Sequence, residues 1–321
     1  MQAATDLVWL LNPVIAFVVG LVLMFNLRKV FARVQSRRGP LLWLPDRWKD
    51  INRSKLLQPL YDIEKLLSKK TIIPHTATPF FTAGPIMALS FAVLLTLFVP
   101  VAAGGTGAAG KGAVDFAFSL VIVFYLLVGV TMSIIIGGTA SASLFAAIGG
   151  VREIELMLAN EIPFILGTFA LAITAESLSV HEMMGFNLIF NPFAAMAVFI
   201  AILVKLHIKP FDIPEADAEI VGGLTTEYSG KLLGILEITK VIMLFALSAL
   251  FVDLFLWVPL PGLWAWAWFL GGVLVVGGAI GFVNALFARF RIDQATKWLF
   301  RFSTLLSLTA IAFALIGRYG L

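Results

Sequence analysis

The sequence predicts an all-α integral membrane protein of about eight transmembrane helices, and three observations carry that prediction. The first is composition: 60% of 321 residues are hydrophobic, 13% are charged, and mean hydropathy is +0.98. That much apolar surface exceeds what a water-soluble core hides. The second is the succession of apolar segments, most of them near the length of about 20 residues that a spanning helix needs. The third is the placement of the basic residues: twelve of the 23 Lys and Arg fall between Arg28 and Lys70.

Taken in order, the spans are expected at Val8–Asn26, Phe80–Ala102, Phe116–Gly137, Arg152–Thr174, Phe190–Leu206, Leu232–Phe255, Leu263–Phe287 and Leu299–Ile316. Residues 116–151 carry no charge at all. At about 1.5 Å per residue that run is too long for one crossing and too short for two. A half-helix or folded loop around Gly137–Gly150 is therefore expected, with seven or nine helices as the neighbouring counts.

The whole chain, 1–321, reads as a single membrane domain with two notable loops. In the first, 28–78, Leu56, Leu57, Leu60, Ile63 and Leu67 recur at helical spacing, which predicts an amphipathic helix over Lys55–Leu67 lying along the membrane surface. Gln58, Asp62 and Glu64 stand where a lipid anchor would favour lysine, so this helix reads as a docking floor for a cytoplasmic partner. The second loop, 207–231, is acidic. The positive-inside rule makes the first loop cytoplasmic and the N-terminus external. Alternation then keeps 207–231 and the Arg289–Arg301 loop inside, and leaves Lys111 and Arg318 outside. Trp257, Trp264, Trp266 and Trp268 fall at the outer interface, where indole rings settle. No basic region precedes the first apolar run, so a cleaved signal is not expected.

Several patterns carry no chemistry. Gly105, Gly107 and Gly110 spell GxGxxG, but no strand precedes them, and a dinucleotide site needs one. Nothing points to nucleic acid. His75, His181 and His207 lack paired metal-ligand spacing and read as solvated or interfacial. Gly277 and Gly281 form a GxxxG that predicts a close helix contact. With no cysteine, the chain holds no disulfide and no cysteine-ligated iron–sulfur cluster, and no cofactor is expected in it.

Charges at membrane depth are costly and must face protein or water. Glu153, Glu155 and Glu161 enter the fourth span, while Glu237 and Lys240 enter the sixth at i, i+3. Glu153 and Glu161 stand about 80° apart around a helix, close enough for one polar stripe. Between the fifth and sixth spans lies KPFDIPEADAEIVGGLTTEYSG, with Asp212, Glu215, Asp217, Glu219 and Glu227. Asp212, Glu215 and Glu219 follow i, i+3, i+7 and would share a face if the segment were helical. Clustered carboxylates raise one another's pKa, which lets them hold and pass protons near neutral pH.

The strings RKVFARVQSRRGP (Arg28–Pro40), LLQPLYDIEKLLSK (Leu56–Lys69), ANEIP (Ala159–Pro163) and KPFDIPEADAEIVGGLTTEYSG (Lys209–Gly230) resemble, in order and spacing, the complex I subunit 1 family, also called NuoH. This membrane subunit links the two arms of respiratory complex I and of its hydrogenase relatives. The resemblance implies a non-redox subunit that docks a cluster-bearing peripheral arm and relays the redox event to antiporter-like membrane subunits. Implied partners are an iron–sulfur subunit and a hydrogenase-like large subunit, which carry the iron–sulfur clusters and, in a hydrogenase, nickel–iron. Glu161 matches the family's intramembrane glutamate, and Asp212, Glu215, Glu219 and Glu227 match its acidic funnel. Arg28, Arg37, Gln58, Asp62 and Lys65 match first-loop positions, with Arg38 beside Arg37 in the same string.

Departures from the quinone-reducing members narrow the expectation. Those members usually carry an acid directly before the arginine matching Arg28, where this chain has Leu27, and they lack the insertion Leu41–Lys55. KKTIIP (Lys69–Pro74) is more similar to archaeal and bacterial membrane-bound hydrogenases and sulfane-sulfur reductases. The expected function is therefore coupling of electron transfer to proton or sodium translocation in a cell-membrane complex of that type. A quinone-site subunit of an NADH:quinone oxidoreductase is the alternative within the family; a stand-alone secondary transporter with midplane acids is the alternative from another class.

Overall fold

The computed structural model describes residues 11–37, 58–99 and 116–319. Among them the helices are α1 (Asn12–Val34), α2 (Gln58–Ser68), α3 (Phe80–Phe98), α4 (Ser119–Thr139), α5 (Leu144–Ala175), α6 (Asn187–Phe190), α7 (Pro192–Lys205), α8 (Asp217–Ile220), α9 (Gly230–Phe255), α10 (Leu263–Leu286), α11 (Ile292–Trp298) and α12 (Thr304–Tyr319). A π-helical turn, Leu299–Ser303, joins α11 to α12 without a break. No strand occurs among the described residues. Seven stretches of the described residues are long and apolar enough to cross a membrane, counting Ile292–Arg318 as one, and the shorter α7 is a further apolar helix.

Helix α9 is the axis of the bundle. It is buried almost without interruption from Val241 to Phe255 and packs against α1, α2, α3, α7 and α10. Around it α3 pairs with α4, α5 with α12 and α7, and α1 with α10. Two of these pairs depend on missing side chains. A methyl group on Gly84 of α3 would lie 2.5 Å from the Cα of Gly137 on α4, so only glycine lets those backbones meet. One on Gly277 would lie 2.7 Å from Leu23 Cδ2, which makes the GxxxG of α10 the contact surface for α1.

Several boundaries differ from expectation. The charge-free stretch 116–151 is divided by a turn at Ala140–Ser143, inside the predicted break, but the next element is no half-helix. Leu144 opens α5, which runs 32 residues and so begins eight residues before the predicted Arg152. At about 48 Å it exceeds a hydrocarbon layer of about 30 Å, and it tolerates Pro163 as membrane helices do. The fifth span is the reverse case. Asn191 interrupts it, accepting a hydrogen bond from Ala194 N at 3.2 Å and donating one to Ala310 O at 3.0 Å, and only 14 residues of α7 follow. Helix α1 runs on past Asn26 to Val34 and takes Arg28, Lys29 and Arg33 onto the helix. The helix expected over Lys55–Leu67 is seen as α2 from Gln58 on, burying Pro59 and Ile63. Lys111, the GxGxxG glycines, the 41–55 insertion and Arg38 lie outside the described residues.

The described parts of both noted loops gather at one end of the bundle. Arg28 reaches Asp62 at 3.2 Å, Ile72 N donates to Ser229 Oγ at 3.0 Å, and Phe290 N donates to Pro210 O at 3.0 Å. The opposite end carries the Glu176–Arg318 pair at 2.7 Å, and Trp268 Nε1 there donates to Leu256 O at 2.8 Å.

Candidate proton-coupling site

The site begins where α7 ends. Lys205 closes the helix, and His207 takes a left-handed conformation with φ 51°. His207 N then donates to Val204 O and Ile208 N to Leu203 O, which satisfies carbonyls the helix end would leave bare. This turn brings Lys205 and His207 to the same region of the bundle as Glu153 and Glu161 of α5.

Ion pairs connect these elements. Lys205 Nζ bonds to Glu161 Oε1, both side chains largely buried. His207 Nε2 lies 3.0 Å from Glu153, and its Nδ1 lies 3.6 Å from Glu215. Glu215 in turn accepts from Lys240 Nζ of α9 at 2.7 Å, and Glu237 stands 3.9 Å from the same ammonium. Nearer the surface, Asp212 pairs with Arg289 at 2.6 Å and Glu219 with Arg152 at 2.6 Å.

The predicted shared face of Asp212, Glu215 and Glu219 is not formed. Pro210 and Pro214 break any helix through 209–216, since each lacks an N–H and clashes with the preceding turn; α8 spans only Asp217–Ile220. Each acid meets a different cation instead. The polar stripe of Glu153 and Glu161 does occur: both line one small cavity with Asn160, Thr131 and Lys205. A larger cavity of about 160 Å³ adjoins it, walled by Glu153, Lys205, His207, Glu215 and Lys240 on one side and by Met24, Leu27, Val130, Ile134 and Met243 on another. It has room for several waters.

Electrostatics follow from the pairing. Burial disfavours the His207 imidazolium, but the Glu153 carboxylate, hydrogen-bonded to its Nε2, and then the nearby Glu215 carboxylate push its pKa up to about 10. Burial acts against ionised Glu215 too, yet Lys240 and His207 hold it well below the usual carboxylate range. Asp212 goes the other way: burial raises it despite Arg289. Four acids, Glu153, Glu161, Glu215 and Glu237, thus face three basic side chains, Lys205, His207 and Lys240.

Other expected residues stand apart. Glu155 is exposed on α5 and Glu227 half-buried, neither with a partner among the described residues. Asp217 opens α8, and its side chain lies outside the described part. Of the first-loop positions, Arg37 and Lys65 are exposed and Gln58 partly so; the exposed Arg28–Asp62 pair adds little to stability and leaves both groups accessible. Of the two alternatives expected for the histidines, solvated or interfacial, His207 is not solvated, because the turn after α7 carries its ring inward at the end of the span. Lys205, Arg152 and Arg289 were missed as partners, and their only signal was a cation at a span boundary. Asp253 was also missed: it is fully buried near the far end of α9, its carboxylate oxygens without a partner among the described residues.

The chain matches the family described as NADH dehydrogenase over residues 6–315. It is 30% identical over 311 residues to the H-type subunit of the NADH-quinone oxidoreductase of Geobacillus sp. (strain WCH70), covering 88% of each chain. It is likewise 30% identical over 280 residues to the same subunit from Syntrophotalea carbinolica (strain DSM 2380 / NBRC 103641 / GraBd1), covering 83% of this chain and 82% of the relative. Among solved structures it is similar to a chain of the membrane-bound sulfane sulfur reductase, an archaeal respiratory membrane complex, with a TM-score of 0.82 and 28% identity over 98% of this chain and 100% of that one. With a family match that leaves out only five residues at one end and six at the other, the chain belongs to the NADH dehydrogenase family, as the NuoH-type membrane subunit of a complex I-like complex.

Proposed function

We propose that this subunit couples electron transfer in a docked peripheral arm to translocation of protons or sodium ions by neighbouring membrane subunits. The observation that carries the reading is the run Glu215–His207–Glu153, with the separate Asp212–Arg289 pair on its loop side and the separate Lys205–Glu161 pair, which lines one cavity with Glu153, on its inner side. A redox event near the loops changes the local charge. That change shifts proton occupancy along the run, because each member's protonation depends on its neighbour. The exposed first-loop residues Arg28, Arg37, Gln58, Asp62 and Lys65 form the arm's contact surface, and the clusters, with any nickel–iron centre, reside in the partners.

Leu27 and KKTIIP support the hydrogenase and sulfur-reductase branch over quinone reduction. Family membership itself sets aside the stand-alone transporter. The apolar wall of the larger cavity, Met24, Leu27, Val130, Ile134 and Met243, favours one second reading, a site for an amphipathic acceptor such as a quinone. The test is ion pumping per electron in inverted vesicles carrying the intact complex. Glu161→Gln and Glu215→Gln should each lower it at least about 10-fold while cluster signals in electron paramagnetic resonance stay unchanged; unaltered pumping refutes the coupling role. Reduction of a short-chain quinone by the same complex would favour the second reading.

A further inference from the structure

The two ring nitrogens of His207 face two different carboxylates on two different parts of the fold. Nε2 lies 3.0 Å from Glu153 of α5, and Nδ1 lies 3.6 Å from Glu215 of the loop. Around them Lys240 of α9 holds Glu215, Lys205 of α7 holds Glu161, and Asp212 sits near enough to interact with the ring electrostatically. The imidazole thus stands between the loop acids and the intramembrane acids. Among the described residues, no other titratable group pairs with both Glu215 and Glu153.

A cation present only to neutralise two acids needs no particular ring. An arginine or lysine would serve, as Lys205 and Lys240 do for Glu161 and Glu215. Imidazole differs in that it can release a proton from one nitrogen and accept one at the other. The left-handed turn at His207 aims the ring at both acids at once, and the cavity beside it is bounded by the same three residues.

We propose that His207 is the proton relay between the loop carboxylates and the intramembrane carboxylates, a step within the coupling reading above and dependent on it. A charge change at the loops that weakens the proton's hold on His207 lets the imidazolium give its Nε2 proton to the Glu153 carboxylate, leaving a neutral ring protonated at Nδ1. Water in the adjoining cavity exchanges that proton for one at Nε2. Glu215, once the same charge change has protonated it, gives its proton across the 3.6 Å gap to the vacant Nδ1, restoring the imidazolium. Net, one proton leaves the Glu215 carboxyl and one arrives at Glu153, with no electron moved.

The experiment compares His207→Gln, His207→Arg and Glu161→Gln in the intact complex, reading ion pumping per electron against pH. The relay predicts at least about a 10-fold loss in both His207 variants, because arginine keeps the charge and the hydrogen bonds but does not deprotonate in this range. It also predicts that whatever pumping remains in His207→Arg loses its pH dependence. If arginine restores wild-type pumping, His207 is only a counter-ion and the relay is overturned. If Glu161→Gln also pumps normally, the coupling reading itself fails; if Glu161→Gln is dead while both His207 variants pump, this inference alone fails. Should neither His207 variant assemble, Glu153→Gln, which removes the proton's acceptor, must abolish pumping, and normal pumping by it refutes the relay.

Discussion

At the scale of single residues, the buried Lys205–Glu161 pair shows why the environment of a charge matters more than its type. Both side chains are largely out of solvent, so each depends on the other for its solvation. Lys205→Met leaves Glu161 buried and uncompensated, and should destabilise the subunit by about 3–5 kcal/mol, read as a lowered unfolding temperature of the purified complex. The double change Lys205→Met with Glu161→Gln should recover most of that loss. The exposed Arg28–Asp62 pair has no comparable consequence, since water screens it. Glu161 was identifiable from its ANEIP string. Lys205 was not, because a lone lysine at the end of an apolar run looks like an ordinary interfacial anchor until the fold sets a carboxylate against it.

At the scale of elements, hydropathy located the long helices well: α9 and α10 lie within two residues of their expected bounds at either end. Hydropathy misplaced the start of α5, while α7 keeps its expected bounds within two residues at either end. Residues 144–151 are apolar and helical yet extend α5 beyond a single crossing, whereas Asn191 caps the start of α7 through its own hydrogen bonds. The i, i+3, i+7 spacing of Asp212, Glu215 and Glu219 was a helical argument applied to a segment that Pro210 and Pro214 keep from being a helix. Small-residue spacing proved more informative. Gly277→Val should push Leu23 away and loosen α1 from α10 at a cost of about 1–3 kcal/mol, visible as faster proteolysis at the α1 end; Gly271→Ala, which meets nothing within 4 Å, should leave it unchanged.

At the scale of the whole molecule, the loop-end cluster makes stability depend on pH from both sides. His207 binds its proton more tightly in the fold than its ordinary 6.5, so its contribution is full below about 6.5 and is lost as pH rises toward about 10. Glu215 is held below its ordinary 4.5, so its contribution is full above that value and is lost progressively as pH falls from it toward the lowered folded-state value. The unfolding temperature of the complex in detergent should therefore peak between about pH 5 and 6.5 and decline on either side. In His207→Gln the alkaline decline should weaken while the acid one remains. A flat profile in the wild type would show that the cluster adds nothing to stability.

The membrane class, the helix succession, the lack of cysteine-bound redox centres and the family were all legible in the chain before any fold was known, because hydropathy, residue counts and motif strings are local properties that need no contact map. Apart from the i, i+3 pair Glu237–Lys240, which acid meets which cation was settled by packing. Glu153 and His207 are 54 residues apart, and Glu215 and Lys240 are 25 apart. Their pairing arises from a left-handed turn after a shortened helix and from two prolines that deny the acidic segment a helix. Contacts of that kind form between distant elements, where sequence spacing carries no information.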